Sequence, residues 1–478
     1  MPLNPQLIEP HRDPVADRVA LSRRGFLAGV SATAVSCLSE RLALAGQTAS
    51  GTSTAPDIQI EISEIEWELS PKKKIRTTAF GGQIPGKVLR LKEGTPVTIE
   101  ITNRLDRPDI VHWHGQWIPS YVDGSVEEGT PMIAPGDTQR ISFTPRPFGL
   151  HWYHTHTMAH RDLKRALYSG EFGALIVEPR ANPAPYDQEQ ILVLHDWEPY
   201  FVASDDGSEM VSYVSSTING KMLGHDDPIR VRPGEQVLFQ IVNASPTEIH
   251  WLSMPGHEFR VIALDGRPVP TATKVDVLRL GPAERVSAIV EMNTPGIWVL
   301  GEPRESFRDA GLGTVVEYAN RSGKPESGKP VKPAWEYRQF AEPSPTVHSP
   351  DVSIPLIFTS RFEGHGALDR WMINGKSFPD TDAIILKNGL RHRLIFKNPS
   401  SDDHPVHLHR HAFELVSIRG VATSGVYKDV VIVEAKSTVA VDLIANNPGD
   451  TLFHCHQQDH MDSGFMCLFK YEQTFMRR

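Results

Sequence analysis

One pattern recurs three times along this chain and restricts it to a fold built from three equivalent units. The three copies run from Gly82 to Asn103, from Asn219 to Asn243 and from Asn374 to Asn398. In each copy a glycine stands nine residues before the closing asparagine, and apolar and polar residues alternate between them. An alternation with a period of two is typical of a half-buried β-strand. An internal repeat of this kind predicts one structural unit per copy.

A second landmark follows later in each copy, where a turn introduces a further strand. These turns are Pro147-Phe148-Gly149, Pro295-Gly296 and Pro448-Gly449. The two landmarks together predict an all-β chain of three β-sandwich domains of ordinary size. The predicted domain limits are 55–180, 185–320 and 350–478, and residues 321–349, which are rich in Pro, Lys and Ser, are predicted to be a linker.

The composition limits the partners of such a protein. The chain has 478 residues, a net charge of −9 and a sequence pI of about 6.2. Because proteins that bind nucleic acid usually carry a basic patch or stripe, this balance argues against nucleic acid as a partner. We find no convincing run of eighteen or more apolar residues, so the sequence predicts no membrane span.

Residues 1–45 have the features of a twin-arginine signal peptide. Arg23 and Arg24 precede an apolar stretch from Phe26 to Leu38, and Ala43-Leu44-Ala45 offers small residues for cleavage. The alternative is a chance arginine pair before a helix. The order of the three features favours export of the folded protein by the twin-arginine (Tat) machinery, to the periplasm or otherwise out of the cytoplasm. Ala34 stands three residues before Cys37, where a lipid-bearing cysteine usually has a leucine. The sequence therefore argues against lipid attachment at Cys37.

The three copies differ in their histidines. Nine and eleven residues after the closing asparagine stand His112 and His114 in the first copy, His407 and His409 in the third, and Leu252 and Met254 in the second. Five and seven residues after the glycine of the later turn stand His154 and His156, His454 and His456, and, in the second copy, Gly301 and Pro303. The first and third domains therefore carry four histidines each at equivalent places, and the second carries none of them.

Each of these pairs is His-x-His on a predicted strand, so both rings of a pair face the same side. Four such pairs are predicted to meet between the first and third domains. Eight imidazoles buried together are hard to satisfy with hydrogen bonds alone, whereas imidazole is a good ligand for Zn, Cu, Fe and Ni. The pattern therefore predicts a metal site.

Cys455 lies between His454 and His456, so its side chain is predicted to point to the opposite face of the strand. The same three residues can then serve two sites. One cysteine with two histidines, here His404 and His460, is the ligand set of a blue copper centre. Zinc is the competing interpretation, but a structural zinc site needs four protein ligands. A Cys455–Cys467 disulfide is the alternative use of the thiol.

These segments resemble the four copper motifs of the multicopper oxidases. The motifs stand here as His112-Trp113-His114-Gly115, Trp152-Tyr153-His154-Thr155-His156, His404-Pro405-Val406-His407-Leu408-His409, and His454-Cys455-His456 with His460. The resemblance covers essentially the whole chain beyond the signal segment. It implies three cupredoxin-like Greek-key β-sandwich or barrel domains, a second domain without ligands, and four copper ions.

The resemblance also implies a role for each ligand. His404, Cys455 and His460 would hold a type 1 blue copper, which accepts electrons near the surface, and His112 and His407 would hold a type 2 copper. A type 3 pair would be held by His114, His154, His156, His409, His454 and His456. Electrons would pass through Cys455 to its neighbouring histidines. Four one-electron oxidations of a reductant would then reduce one dioxygen to two waters.

Four further residues either match the family or depart from it. Asp123 corresponds to an acid that assists proton transfer in the family, although a turn aspartate before glycine is the alternative; Asp462 is a second candidate acid. Phe465 occupies the axial position that is usually methionine, which predicts a comparatively high type 1 potential unless a bulge brings Met466 in. Arg410 replaces a glycine common in the family, and the sequence assigns it no role.

The reductant is less well determined by the sequence. We favour a laccase-like oxidase of phenols or aromatic amines. The alternative is a metallo-oxidase of Cu(I), Fe(II) or Mn(II) that serves copper tolerance; Asp402 and Asp403, which immediately precede His404, suit either a metal ion or an organic donor. The 11 methionines form no cluster, unlike the Met-rich segments of cuprous oxidases. The intact ligand set argues against a copper-free envelope protein, and the three-domain layout argues against a nitrite reductase.

Overall fold

The computed structural model describes residues 55–180, 185–204, 207–328 and 334–472. The predicted signal peptide and Cys37 lie outside these residues. Within them the strands form three pairs of sheets, so the predicted all-β fold is confirmed.

The first pair of sheets uses the strands of residues 58–178. They are β1 (Ile58–Ser70), β2 (Lys73–Phe80), β3 (Gly86–Lys92), β4 (Val97–Asn103), β5 (Val111–His112), β6 (Thr138–Phe143), β7 (Gly149–Thr155) and β8 (Phe172–Glu178). The sheet orders are β2-β1-β4-β6 and β3-β8-β7-β5.

The second pair uses the strands of residues 188–318. They are β9 (Gln188–Ala203), β10 (Glu209–Ile218), β11 (Ile229–Val231), β12 (Gln236–Asn243), β13 (His250–Ser253), β14 (Phe259–Leu264), β15 (Arg267–Pro268), β16 (Lys274–Val275), β17 (Val277–Leu280), β18 (Arg285–Glu291), β19 (Ile297–Gly301) and β20 (Gly313–Tyr318). The sheet orders are β10-β9-β12-β18-β14-β15, with β16 on β14, and β11-β20-β19-β13-β17.

The third pair uses the strands of residues 352–471. They are β21 (Val352–Arg361), β22 (Arg370–Ile373), β23 (Ile384–Leu386), β24 (Arg391–Asn398), β25 (His404–Leu408), β26 (Phe413–Ile418), β27 (Val421–Ala422), β28 (Tyr427–Lys428), β29 (Val430–Val433), β30 (Ser437–Ile444), β31 (Thr451–Cys455) and β32 (Met466–Tyr471). The sheet orders are β22-β21-β24-β30-β26-β27, with β28 on β26, and β23-β32-β31-β25-β29.

Helices are few and short in the described part of the chain. They are α1 (Ser120–Asp123), α2 (Glu305–Asp309), α3 (Gln458–Asp462) and two 3₁₀ helices, Ala166–Tyr168 and Tyr337–Phe340. None of these described helices has the length and apolar content that crossing a membrane would require.

The asparagine that closes each repeat makes the same hydrogen bonds in all three domains. It ends β4, β12 and β24 as Asn103, Asn243 and Asn398. Its amide donates to two main-chain carbonyls and its oxygen accepts the N–H two residues later. The partners are Arg107 O, Ile133 O and Leu105 N for Asn103, Glu248 O, Leu280 O and Ser245 N for Asn243, and Asp402 O, Val433 O and Ser400 N for Asn398. This anchor fixes the loop into the next strand, which is the strand that carries histidines in the first and third domains.

The hydrophobic core of the second and third domains is continuous. Part of the predicted linker belongs to it, because Trp335, Tyr337 and Phe340 are buried there. Tyr337 also donates from its hydroxyl to Glu284 Oε1 at 2.6 Å. These contacts fix the second and third domains against each other.

The second domain buries a charged histidine at the start of β13. His250 Nε2 lies 2.7 Å from Asp196 Oδ2, and its Nδ1 lies 3.7 Å from Glu302 Oε2. All three side chains are fully buried. Burial favours the neutral ring, but the charges and hydrogen bonds of the two carboxylates outweigh it and raise the pKa of His250 to about 9.

We expect this histidine to make the protein less stable as the pH rises from 6.5 to 9. Folding raises the pKa of His250 from 6.5 to about 9, so the protonated ring stabilises the folded protein fully below pH 6.5. This stabilisation, about 3 kcal/mol, is lost as the pH rises to 9. Calorimetric melting temperatures across this range measure the effect, and His250→Gln should flatten the slope. The pKa of half-buried Glu248 is raised from 4.5 to about 7, so its contribution changes mainly at lower pH than that of His250. An unchanged slope in His250→Gln would contradict the assignment.

Candidate metal centre

Strand pairing places the histidines of the first and third domains in the same way. His112 on β5 is opposite His154 on β7, and His407 on β25 is opposite His454 on β31. In the second domain the equivalent pair is Ser253 and Gly301. Ser253 stands ten residues after Asn243, whereas His112 and His407 each stand nine residues after their asparagines, so it lies one residue later than the Leu252 indicated by sequence spacing.

Eight histidines from the first and third domains form one buried cluster, which we call the eight-histidine cluster. Its members are His112, His114, His154, His156, His407, His409, His454 and His456. Rings from the two domains stack in pairs, with 4.0 Å between the centroids of His112 and His409 and 3.8 Å between those of His114 and His407. Their donor nitrogens converge in three groups: His112, His114 and His407; His114, His154 and His456; and His156, His409 and His454.

Hydrogen bonds behind the rings set which nitrogen of each histidine faces the cluster. The Nδ1 atoms of five rings lie 2.7–2.8 Å from oxygen acceptors: Asp123 O for His112, Thr155 O for His154, Asp429 O for His407, Asp123 Oδ2 for His409 and Cys455 O for His454. In these rings Nε2 is left to face the cluster, whereas His114 is held through Nε2, which lies 3.1 Å from Asp429 Oδ1.

The inward nitrogens are the donors that a metal ion needs. His112 Nε2, His114 Nδ1, His154 Nε2, His407 Nε2 and both nitrogens of His456 are buried with no hydrogen-bond partner. Burial lowers the pKa of His114, His154, His407 and His456 well below 6.5 and that of His409, elsewhere in the cluster, to about 4, which favours the neutral ring that can act as a ligand. Unpartnered buried imidazoles in three convergent groups fit metal ions.

A second group of donors lies behind the same strand. Cys455 Sγ lies 3.9 Å from His404 Nδ1 and 3.6 Å from His460 Nδ1, and the two nitrogens are 3.2 Å apart. We call His404, Cys455 and His460 the thiolate cluster. Burial raises the pKa of the Cys455 thiol well above its usual value, so a metal ion is what would hold it as a thiolate. Cys455 and Cys467 are both free, so the alternative disulfide is not formed.

Three family models, each describing a multicopper oxidase, match residues 61–182, 191–309 and 351–474. The chain belongs to the multicopper oxidase family. It is therefore an oxidoreductase that binds copper and couples oxidation of a reductant to reduction of dioxygen, as the sequence predicted.

Relatives of known function cover nearly the whole of this multicopper oxidase. Multicopper oxidase MmcO of Mycobacterium tuberculosis is 27% identical over 95% of this chain and 97% of that protein. Copper resistance protein A of Escherichia coli is 22% identical over 95% of this chain and 99% of that protein. The laccase of Botrytis aclada superposes with a TM-score of 0.74 at 20% identity, over 88% of each chain, which shows the shared fold.

Phe465, at the sequence position where the family usually has its axial methionine, packs against the thiolate cluster in this multicopper oxidase. Its ring lies 4.9 Å from that of His404, and its main-chain oxygen accepts the Cys455 N–H. Met466 points to the other face of β32, where it packs with Leu452 and Met461. The structure therefore shows no bulge that would bring Met466 to the cluster, and the comparatively high type 1 potential stays a prediction.

Besides Asp429, two acids lie against the eight-histidine cluster, and sequence reasoning found only one of these three. Asp123 Oδ2 lies 2.8 Å from His409 Nδ1 and 3.2 Å from His112 Nδ1. Glu128, which the sequence did not single out, accepts the Leu452 N–H at 2.6 Å and hydrogen-bonds with Asp123. Burial raises the pKa of both carboxyls, but the two histidines reverse this for Asp123 and hold its pKa well below 3.8, whereas the charge of Asp123 raises that of Glu128 further.

Asp462, the other candidate acid, lies at the junction of the first and third domains. Its carboxylate accepts the N–H groups of Ala159 and His160 and the amide of Gln458 at 2.7–3.3 Å. Burial raises its pKa to about 7. Gln458 in turn lines a small cavity beside His154 and His456. These contacts place Asp462 behind Gln458 rather than against a ligand ring.

Arg410, to which the sequence assigned no role, fastens the segment before β31 to the first domain. Its backbone is left-handed, with φ of 57°, which is the conformation that favours glycine. The hydrogen bonds of its guanidinium offset the cost of this backbone conformation. It donates to Ile118 O in the first domain and to acceptors at the start of β31. Those acceptors are Asn447 O, Pro448 O, Asp450 O and Thr451 Oγ1, at 2.8–3.0 Å.

Proposed function

We propose that this multicopper oxidase is a laccase-like enzyme that takes electrons from aromatic amines and phenols. The supporting observation is a cavity of about 800 Å³ that is lined by His460 of the thiolate cluster and by Trp371. Cavities of 300–1,000 Å³ are typical of sites for small organic molecules. A donor bound there would lie against the edge of the cluster, since the Trp371 and His460 rings are 4.4 Å apart.

The charge of this cavity favours amines among organic donors. Six acidic residues line it, Glu209, Glu248, Asp369, Asp402, Asp403 and Asp459, against one arginine, Arg304. Arg304 pairs with Glu302 at 2.8 Å, and two of the six acids, Glu209 and Asp403, pair with Arg161 and Arg279 at 2.7 Å, so the remaining acids give the cavity its negative charge. Carboxylates lining a cavity attract cations and repel anions, most strongly at low ionic strength. We therefore expect cationic aromatic amines to bind better than sulfonated donors of similar size.

Steady-state turnover tests this proposal. We expect Asp402→Asn to raise the KM for a cationic phenylenediamine by about fivefold, as the loss of one partly screened charge implies, and to leave the KM for a neutral phenol unchanged. Asp137→Asn makes the same charge change at an exposed residue that does not line the cavity and serves as the control. Equal KM values for the amine in wild type and Asp402→Asn would contradict a role for the cavity.

A metal-ion reductant is the second candidate, because carboxylates also bind metal ions. Some relatives are named for metals, among them the iron transport multicopper oxidase FET3 of Gibberella zeae. The size of the cavity favours an organic donor, since a single metal ion needs no such volume. Turnover of Cu(I), Fe(II) or Mn(II) with a kcat/KM above that of every organic donor would replace the first proposal with the second.

The proposed roles of the residues follow from their positions. His404, Cys455 and His460 would hold a type 1 copper, His112 and His407 a type 2 copper, and the other six histidines a type 3 pair. Bound copper supplies one-electron redox chemistry at the first site and dioxygen reduction at the others. The main chain of β31 joins the two sites covalently, because Cys455 and its neighbouring histidines belong to different clusters. Asp123, a carboxylate in the resting protein, would accept a proton at Oδ2 and pass it towards the cluster.

We also propose that the protein is exported by the twin-arginine route to the periplasm. The support is the Arg23-Arg24 pair with the apolar stretch and small residues that follow it. In cell fractionation, replacing both arginines by lysine should leave the protein in the cytoplasm. A wild-type protein found only in the cytoplasm would contradict the proposal.

A further inference from the structure

We infer that Arg285 and Asp429 are positioning residues that fix the His114 ring, so that the second domain, although it carries no ligand, controls copper binding at the eight-histidine cluster. This inference rests on the assignment of His114 as a copper ligand and not on the nature of the reductant. Arg285 belongs to the second domain, Asp429 to the third and His114 to the first. The contact therefore joins all three domains at one ring.

His114 is the exception among the anchored rings of the cluster. Five others are held through Nδ1, but His114 Nε2 lies 3.1 Å from Asp429 Oδ1, and His114 Nδ1 is buried without a partner. A ring rotated by 180° would direct different atoms towards the cluster. The carboxylate at Nε2 therefore selects the orientation that leaves Nδ1, which has no hydrogen-bond partner, as the atom available to a metal ion.

Asp429 orients two stacked rings at once. Its carboxylate contacts His114, while its main-chain oxygen lies 2.8 Å from His407 Nδ1. Those two rings come from different domains and lie 3.8 Å apart, centroid to centroid. A displacement of Asp429 would thus disturb the facing ligands of both domains together.

Arg285 fixes the carboxylate of Asp429. Its Nη1 donates to Oδ1 and its Nη2 to Oδ2, both at 2.6 Å, and both side chains are buried. Such a bidentate pair restricts rotation as well as position. Asp265 accepts from Lys428 at 2.9 Å and hydrogen-bonds to the N–H of Asp429 at 3.3 Å, which supports the pair from behind.

The Arg285–Asp429 pair is also closely packed against its surroundings. Gly115, the residue after His114, has φ of 82°, and a Cβ there would lie 2.8 Å from Arg285 Nη2 and 2.9 Å from Asp429 Oδ2. The pair therefore packs directly against the backbone that carries His114. This close approach explains why glycine follows His114 in the motif.

The test is Asp429→Asn in the full-length, copper-loaded protein. Oδ1 of Asp429 faces both His114 Nε2 and Arg285 Nη1, and Oδ2 faces Arg285 Nη2, so the NH₂ group of asparagine meets an Arg285 donor in either orientation and His114 as well in one of them. We expect copper to be lost from the eight-histidine cluster at about 10–100-fold lower chelator concentration than in wild type. The measurements are copper per chain and the near-ultraviolet shoulder of the coupled pair. The blue absorption of the thiolate cluster in the same sample should persist.

Two further variants separate positioning from general stability. Arg285→Lys keeps the charge but not the bidentate geometry, and we expect a shift in the same direction. Asp442→Asn breaks another bidentate pair, between buried Asp442 and half-buried Arg393 at 2.7 and 3.0 Å, which hydrogen-bonds to no residue of either cluster and should shift neither signal. The inference is overturned if Asp429→Asn retains copper like wild type, or if its blue absorption and shoulder decline together. Failure to oxidise organic donors would instead count against the proposed substrate and leave the copper measurements unaffected.

Discussion

The Cys455→Ser variant is expected to be colourless and to have no measurable oxidase turnover. The thiolate is the soft, anionic donor of its cluster, and it is also the residue that links this cluster to His454 and His456 through the chain. A serine hydroxyl has nearly the same shape but does not ionise at neutral pH. The eight-histidine cluster keeps all its ligands in this variant, so the near-ultraviolet shoulder should remain.

Cys467→Ser is the matched control for this variant. Cys467 is also a buried free thiol, on the neighbouring strand β32, but it lies in no group of metal donors among the described residues. The control should keep both its colour and its turnover, with at most a small loss of stability from burying a hydroxyl. Oxygen consumption that survives Cys455→Ser would show that electrons reach the eight-histidine cluster by another route.

The Asp123→Asn variant is expected to lose about 10²-fold or more in kcat while it keeps its blue absorption. A positioned acid or base typically contributes 10²–10⁴-fold to a rate that depends on proton transfer. Asp123 is the carboxylate that two ligand rings share, and the asparagine keeps its size but cannot carry the proton. Stopped-flow measurement of the fully reduced enzyme with dioxygen would place the loss in oxygen reduction rather than in electron uptake.

Glu128→Gln is the control for Asp123→Asn. Because burial and the adjacent Asp123 raise the pKa of Glu128 well above 4.5 and so favour its neutral form, a neutral amide is a close substitute for it. Its kcat should therefore fall much less than that of Asp123→Asn. Equal losses in both variants would mean that the two acids act only as structural supports for His409.

The sequence predicted the fold and the ligands because both depend on local patterns. The alternation of apolar and polar residues identified the strands, and the recurring asparagine marked the end of one strand in each domain. The spacing within each His-x-His pair placed both of its rings on the same side of a strand. The structure brings all eight of these histidines together and places His404 and His460 at Cys455. Spacing failed by one residue in the second domain, where the residue that pairs with Gly301 stands ten rather than nine residues after the asparagine.

The residues that sequence reasoning missed act across domain boundaries. Glu128 reaches β31 of the third domain through the Leu452 N–H, and Arg285 reaches Asp429 from the second domain. No spacing within one repeat indicates such contacts, since they depend on how the domains pack. The role of Arg410 was hidden for the same reason: its five donors meet carbonyls and a hydroxyl from two domains.

The division of ligands between domains has a consequence for how the enzyme would fail. All three residues of the thiolate cluster belong to the third domain, whereas four of the eight histidines come from the first. A small separation of those two domains, by heat or by a mutation at their interface, would leave electron uptake at the thiolate cluster intact. It would abolish oxygen reduction at the eight-histidine cluster. Such damaged molecules would remain blue until a reductant reduces the thiolate cluster. They would then stay bleached under air, because the electron could no longer reach dioxygen.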